Sequence, residues 1–348
     1  MTISTISSIY QPVDVSLSQD AASGIKATIA NNGAETLSLL GFDNLLDDDG
    51  YVEKLMVFSG DVKVDFNGYH LYPAIDRLRM SDFTSLYPGE TIEITIDPAE
   101  VHDLSIGGNY TVFTKGLFLL GTPDSTSLSG ASVPYSSNKL AIEINGTRAA
   151  QSFRDFASQS SERASMIDCS DPEQSAKFTN ITIKEASLLA SHAASAARSG
   201  PADQFEFFFK TTNTTAREHV AARFDAMASA VLTIGTTPYL HCVEPYGMNY
   251  CTNRSSIAAY ATNPGGNLFF CPVFYDYPVM PDTCRGYDSR AGILLHEMSH
   301  NEEIYKPATG DYAYGPNGSL ALPSDQALLN ADSFLAYAFG VKYGCYLD

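Results

Sequence analysis

The sequence predicts an α+β fold in two parts: an all-β, sandwich-like part over residues 1–145, and a mainly helical part with a small sheet over residues 169–348. Three observations lead there. The first part alternates apolar and polar residues between turn signals, the period changes after Cys169, and all six cysteines stand in the second part, at Cys169, Cys242, Cys251, Cys271, Cys284 and Cys345. With 348 residues, 44% of them hydrophobic, the chain can bury a core in each part.

In order along the chain, Val13-Asp14-Val15-Ser16-Leu17-Ser18 and Ile25-Lys26-Ala27-Thr28-Ile29-Ala30 read as strands, and Asn31-Asn32-Gly33 supplies a turn after the second. Further strands are expected over residues 54–66, 91–96, 110–120 and 140–144, a spacing that suits a sandwich. Asp47-Asp48-Asp49-Gly50 lacks the rest of a calcium-loop pattern and reads as a solvated acidic turn. Residues 146–168 are polar and Ser-rich, with Arg148, Arg154 and Arg163, and read as a solvated linker. Helices are expected over 183–198, with Thr182 as N-cap, and over 215–232, 289–303 and 324–339. Residues 239–287 read as loops and short strands, clearest at 267–271.

Charge and cysteine usage bound the function. There are 21 basic residues against 40 acidic ones, a net of −19, which argues against nucleic acid as a partner. No stretch approaches the roughly 18 apolar residues of a membrane helix. Residues 1–8 lack the apolar core of a signal peptide, so the chain is either cytosolic with free thiols or a secreted protein whose leader has been removed. Six cysteines with no C-x-x-C pair favour the second, as three disulfides formed in an oxidising compartment. The sequons at Asn109, Asn145, Asn180, Asn213, Asn253 and Asn317 agree with secretion. A monomer is expected.

The chemistry is concentrated in Ile293-Leu294-Leu295-His296-Glu297-Met298-Ser299-His300. Histidines four apart share one helix face and can hold one Zn²⁺, while Glu297 stands beside the first ligand, within reach of the metal's water. Zinc lowers the pKa of that water toward ~7, and the neighbouring carboxylate can take its proton. The alternative is an amphipathic helix with two solvated histidines; the apolar residues before the motif, and a total of only seven histidines, weigh against it. The other five, His70, His102, His192, His219 and His241, read as structural. A metzincin continuation fails, because Glu303 and Lys306 stand where Gly and His belong. No Glu follows Glu303, so a third carboxylate ligand must come from Asp311, Asp325, Asp332 or Asp348.

His296-Glu297-x-x-His300 followed by Thr309-Gly310-Asp311-Tyr312-Ala313-Tyr314-Gly315 resembles the aspzincin pattern, H-E-x-x-H then G-T-x-D-x-x-Y-G, departing from it at Ala308. Within that family the chain is similar to the fungal deuterolysins, neutral zinc endopeptidases secreted with a long propeptide. The similarity covers about residues 169–348, including Asn330-Ala331-Asp332 and the cysteines, and the β-rich first part looks like the propeptide. The resemblance implies one zinc per chain on His296, His300 and Asp311, protein or peptide substrates, and Tyr314 as donor to the oxyanion. Thr309 is expected to shape the substrate-side loop. Asp332 is a rival third ligand, a residue behind a ligand, or part of the pocket for the residue after the cleaved bond. Related lysine-specific peptidases carry a Glu where Leu335 stands, so strict lysine selectivity is not expected and a milder taste for basic substrates stays open.

The resemblance also implies the pairs Cys169–Cys242, Cys251–Cys271 and Cys284–Cys345. With no cysteine before Cys169, inhibition by the first part must come from covering the cleft, or from a His or carboxylate reaching the metal. Maturation is expected within 146–168, at Arg148, Arg154 or Arg163 or by self-cleavage. Two rivals remain: a permanent accessory domain in place of a propeptide, and a secreted, non-catalytic binding protein that keeps the fold. The second would be expected to lose Glu297 or a ligand.

Overall fold

The computed structural model describes residues 12–20, 24–47, 50–160, 169, 171–173, 182–233, 239–244, 249–263, 266–283 and 288–344, with residues 156–160 as backbone only. The N-terminal part is three small antiparallel sheets around one core. β1 (Val13–Gln19), β2 (Ile25–Asn31) and β8 (Thr91–Ile96) form the first. β11 (Leu128–Ser136), β10 (Lys115–Gly121), β3 (Leu37–Leu40) and β7 (Phe83–Leu86) form the second, and β12 (Leu140–Ile144), β9 (Gly108–Phe113), β4 (Met56–Ser59) and β5 (Val62–Lys63) the third. The period-2 pattern explains the packing: Val13, Val15 and Leu17 of β1 point inward with Ala27 and Ile29 of β2, and meet Leu39, Val57, Val112, Phe118 and Ile142. The strand expected over 54–66 is divided by a turn at Gly60 and Asp61, and that over 110–120 breaks at Thr114, where the chain passes from the third sheet to the second.

The segment read as a linker is a helix, α1 (Gly146–Ser160). Asn145 caps it by accepting from the amide of Arg148 at 3.1 Å. Ala149 and Phe153, one helical turn apart, pack inward, and Ser152 donates to Asp97 at 3.1 Å. Residues 161–168, with Arg163, lie outside the described residues.

The C-terminal part stacks helices on a small sheet. They are α2 (Ile183–Ser199), α3 (Ala202–Phe209), α4 (Thr214–Ala230), the short α5 (Tyr250–Asn253), α6 (Arg290–Ser299), α7 (Gly315–Ala321), α8 (Ser324–Ala327) and α9 (Ala331–Tyr343). A stripe of alanines, Ala186, Ala190, Ala193 and Ala197, lets α2 lie close along α4. Thr182 precedes α2 in helical conformation and makes no side-chain cap, whereas Asn213 caps α4 through the amides of Thr215 and Ala216. The helix expected over 324–339 is two: the chain breaks at Asn330, which bridges in parallel to Gly310. The helix expected over 289–303 ends at Ser299.

The halves share a sheet. β13 (Tyr239–His241), β15 (Asn267–Phe270) and β14 (Ile257–Thr262) are completed by β6 (Tyr69–Pro73), from the N-terminal part, in the order β13-β15-β14-β6. β6 runs antiparallel to β14, with Tyr72 opposite Ala259 and His70 opposite Ala261. Tyr69 and Leu71 enter a core with Tyr250, Ile257, Tyr260 and Phe269. Asp47, expected in a solvated turn, is fully buried and accepts from the Arg254 guanidinium at 2.6 Å, a second tie between the halves. Cys169–Cys242 and Cys251–Cys271 are disulfide-bonded; Cys284 and Cys345 lie outside the described residues.

Candidate metal centre

α6 starts where Ser289 accepts from the Gly292 amide at 3.2 Å, and every residue of the helix is buried. The four-residue spacing sets His296 and His300 on one face, with their Nε2 atoms 3.1 Å apart. Asp311 arrives from the following loop. Gly310 donates to Leu329 O and accepts from the Ala331 amide, and this backbone pairing fixes where the next residue projects. Asp311 Oδ1 lies 3.1 Å from His296 Nε2, and its Oδ2 3.2 Å from His300 Nε2.

Each imidazole is held from behind. His296 Nδ1 lies 2.6 Å from Asp332 Oδ1, whose other oxygen accepts from the Gly315 amide at 2.6 Å. His300 Nδ1 lies 2.9 Å from the Thr309 carbonyl. Both acceptors call for Nδ1–H, which leaves the Nε2 lone pairs facing Asp311. Asp332 and Thr309 are therefore placed behind the two histidines, buried at 0% and 3% exposure. Tetrahedral zinc with ligand bonds of about 2.0–2.1 Å needs ligand atoms about 3.3–3.4 Å apart; the two Nε2 atoms stand 3.1 Å apart, and each has an Asp311 oxygen within 3.2 Å. Asp311 and Asp332 raise His296 well above its ordinary pKa although burial opposes them, and the same two carboxylates supply the negative charge a divalent cation needs.

Glu297 is fully buried, and neither carboxylate oxygen has a hydrogen-bond partner. Burial above all, with the charges of Asp311 and Asp332 adding to it and His296 opposing, holds its carboxyl well above the usual range. Tyr314 donates to the Leu71 carbonyl at 2.8 Å and stands 3.4 Å from Asp43 Oδ2. It is thus a phenol aimed at a backbone carbonyl, and burial keeps its proton on by raising its pKa well above 10.

Sequence reasoning missed the residue that joins this cluster from the N-terminal half. On β6 the alternation turns Tyr69 and Leu71 to the shared core and His70 and Tyr72 to the histidines. His70 stacks on His300 with ring centroids 4.3 Å apart, and Tyr72 meets His296 edge-on at 4.6 Å. His70 Nδ1 has no hydrogen-bond partner and lies 3.9 Å from Asp311 Oδ2. Burial first, then the neighbouring His300, pushes His70 down to about 3, so the ring is neutral. The available signal was Tyr69-His70-Leu71-Tyr72, a short β-prone run closed by Gly68 and Pro73.

The Deuterolysin metalloprotease (M35) family model matches residues 1–345. The "Neutral protease 2 homolog" of Phaeosphaeria nodorum is 35% identical over 96% of this chain and 92% of its own length. That of Aspergillus terreus is 37% identical over 96% and 92%, and penicillolysin of Penicillium citrinum 35% identical over 98% and 94%. Among solved structures, the zinc peptidase from Grifola frondosa aligns with a TM-score of 0.39 and 22% identity, over 49% of this chain and 97% of that one. A match along nearly the whole chain, with relatives of more than 30% identity aligned almost end to end, leaves one conclusion: this protein is a metalloprotease of the Deuterolysin (M35) family.

Proposed function

We propose that the chain is the precursor of a secreted zinc endopeptidase, with one zinc on His296, His300 and Asp311 and with residues 1–145 as a propeptide that keeps it latent. The observation that carries the reading is the meeting of two imidazole nitrogens, 3.1 Å apart, with the two oxygens of one carboxylate, each within 3.2 Å of one of them, beside a buried carboxylate with no partner. Zinc bound there would polarise a peptide carbonyl and make its water acidic near pH 7. Glu297, as a carboxylate beside that zinc, would take the water's proton and return it to the leaving amine. Tyr314 donates to the carbonyl oxygen as charge develops on it, a role supported by the bond it already makes to the Leu71 carbonyl. Asp332 and Thr309 orient the two histidines.

Latency is supported by β6, which fills the edge of β14 beside the ligands. Secretion is supported by the two disulfides and by the exposure of Asn109, Asn145, Asn213, Asn253 and Asn317, the sequons among the described residues. The net charge of −19 favours cationic peptides, while Leu335, packed against Gly292, offers no charge to select lysine.

The test compares zinc content and casein hydrolysis by processed enzyme. Chelation by EDTA should abolish activity and zinc should restore it. Glu297→Gln should keep the metal and lose roughly 10²–10⁴-fold in turnover. Ordinary turnover in Glu297→Gln would overturn the mechanism.

A further inference from the structure

We propose that His70 is the fourth ligand of the zinc in the uncleaved chain, standing where the attacking water must stand, and that β6 delivers it as an added strand of the catalytic sheet. This rests on the reading of His296, His300 and Asp311 as the zinc ligands.

Four features of the structure lead to it. First, among the described residues, His70, His300 and Asp311 each bring one ligand atom to a common point, all within 4.8 Å of one another. Second, His70 is 8% exposed, and its Nδ1 is aimed into the cluster with no hydrogen-bond partner; a buried polar atom left bare in this way needs a ligand to account for it. Third, the reach is short. Nδ1 lies 3.9 Å from Asp311 Oδ2, and ligands of one tetrahedral zinc lie about 3.3–3.4 Å apart, so a shift of about half an ångström brings this pair to ligand spacing. Fourth, the strand is held on both sides of the histidine. Its backbone pairs with β14 from Tyr69 to Pro73, the Leu71 carbonyl accepts from Tyr314, and the Tyr72 hydroxyl donates to Asp288 at 2.9 Å. A ligand on so constrained a segment costs little further ordering when it binds.

The arrangement places a backbone carbonyl on the oxyanion donor and an imidazole beside the metal ligands within two consecutive residues, Leu71 and His70. β6 therefore lies as a peptide substrate could lie along β14, but with a side chain in the water's place. Catalysis by the three-ligand site needs an open fourth position. Four protein ligands close it, so the uncleaved chain is latent by coordination as well as by obstruction. Withdrawal of β6 opens the metal and the strand edge together.

X-ray absorption at the zinc edge of the full-length chain counts imidazole ligands without depending on activity. The uncleaved chain should show three imidazoles, and His70→Phe, which keeps the ring against His300 but removes both nitrogens, should show two and release zinc to a chelator about 10–100-fold faster. Asp43→Asn, which keeps the shape of the N-terminal side chain beside Tyr314 and Asp311 but removes its carboxyl, should keep three. Two imidazoles in both the native chain and His70→Phe would overturn the proposal, as would a lost ligand in Asp43→Asn with His70→Phe unchanged. Asp311→Ala separates the two levels. If it empties the site while the native chain shows only two imidazoles, the zinc site stands and the His70 cap fails. Full zinc in Asp311→Ala would overturn the site itself. Should His70→Phe fold poorly, His70→Gln provides the same count with a smaller, polar side chain.

Discussion

Asp332→Asn alters a buried carboxylate that touches no metal-side atom, and it should loosen zinc all the same. In the native chain one oxygen faces His296 Nδ1 and the other the Gly315 amide, each at 2.6 Å. An amide offers one acceptor end and one donor end. With its NH₂ toward Gly315, two donors oppose each other. With its NH₂ toward His296, the imidazole proton must move to Nε2, the atom that should carry the ligating lone pair. Either way a hydrogen bond to a charged group is lost, worth about 1.5–3 kcal/mol. At about 1.4 kcal/mol per tenfold, zinc affinity should fall about 10–100-fold, the range found for residues that orient metal-bound histidines. Competition against a chromophoric chelator measures this, with Asp311→Asn in parallel as the direct-ligand comparison and expected to fall further. An affinity within about threefold of native, or roughly 0.6 kcal/mol, would refute the orienting role. A loss from Asp332→Asn exceeding that from Asp311→Asn would move the third ligand to Asp332.

Gly292→Ala sets helix propensity against packing. The added Cβ gains up to ~1 kcal/mol in an α-helix, but it would stand 2.8 Å from Leu335 Cδ1 and 2.9 Å from Phe339 Cζ, so overpacking of about 1–3 kcal/mol wins and denaturant unfolding should show a net loss. Burial raises Asp288 from 3.8 to about 7 where it accepts from Tyr72, so the native state holds this proton more tightly than the unfolded chain does. That stabilisation is full below the unfolded pKa and is lost as pH rises through about 7; at most it is on the order of 4 kcal/mol, and Asp288→Asn should flatten stability between pH 4 and 8 in thermal melts.

The readable part of the site is local in sequence. His296, Glu297 and His300 are set by one helical turn, and Asp311 and Tyr314 follow within the same stretch of chain. What could not be read depends on distant partners. The bond from Asp332 to His296 exists because α9 packs across α6. β6 is a strand only because β14 offers it an edge, and without that edge Tyr69-His70-Leu71-Tyr72-Pro73 is too short to declare itself. The same dependence hid α1, whose serine content resembles a linker until Ala149 and Phe153 find the β-rich core. In the other direction, the clean alternation of β1, β2 and β8 was legible because each strand has one wet face and one dry face.

The sheet that joins the halves also dictates an order of assembly. Synthesis runs from the N-terminus, so residues 69–73 leave the ribosome and settle into the β-rich half long before residues 257–262 exist. Pairing across that much intervening chain is slow, and a strand waiting for its neighbour is a site for aggregation. Ile257 to Ala261 are all buried in the finished protein, so a C-terminal half made alone would present this apolar edge bare. Residues 69–73 thus wait until β14 gives them an edge: the last strand to join this sheet is the first to be made.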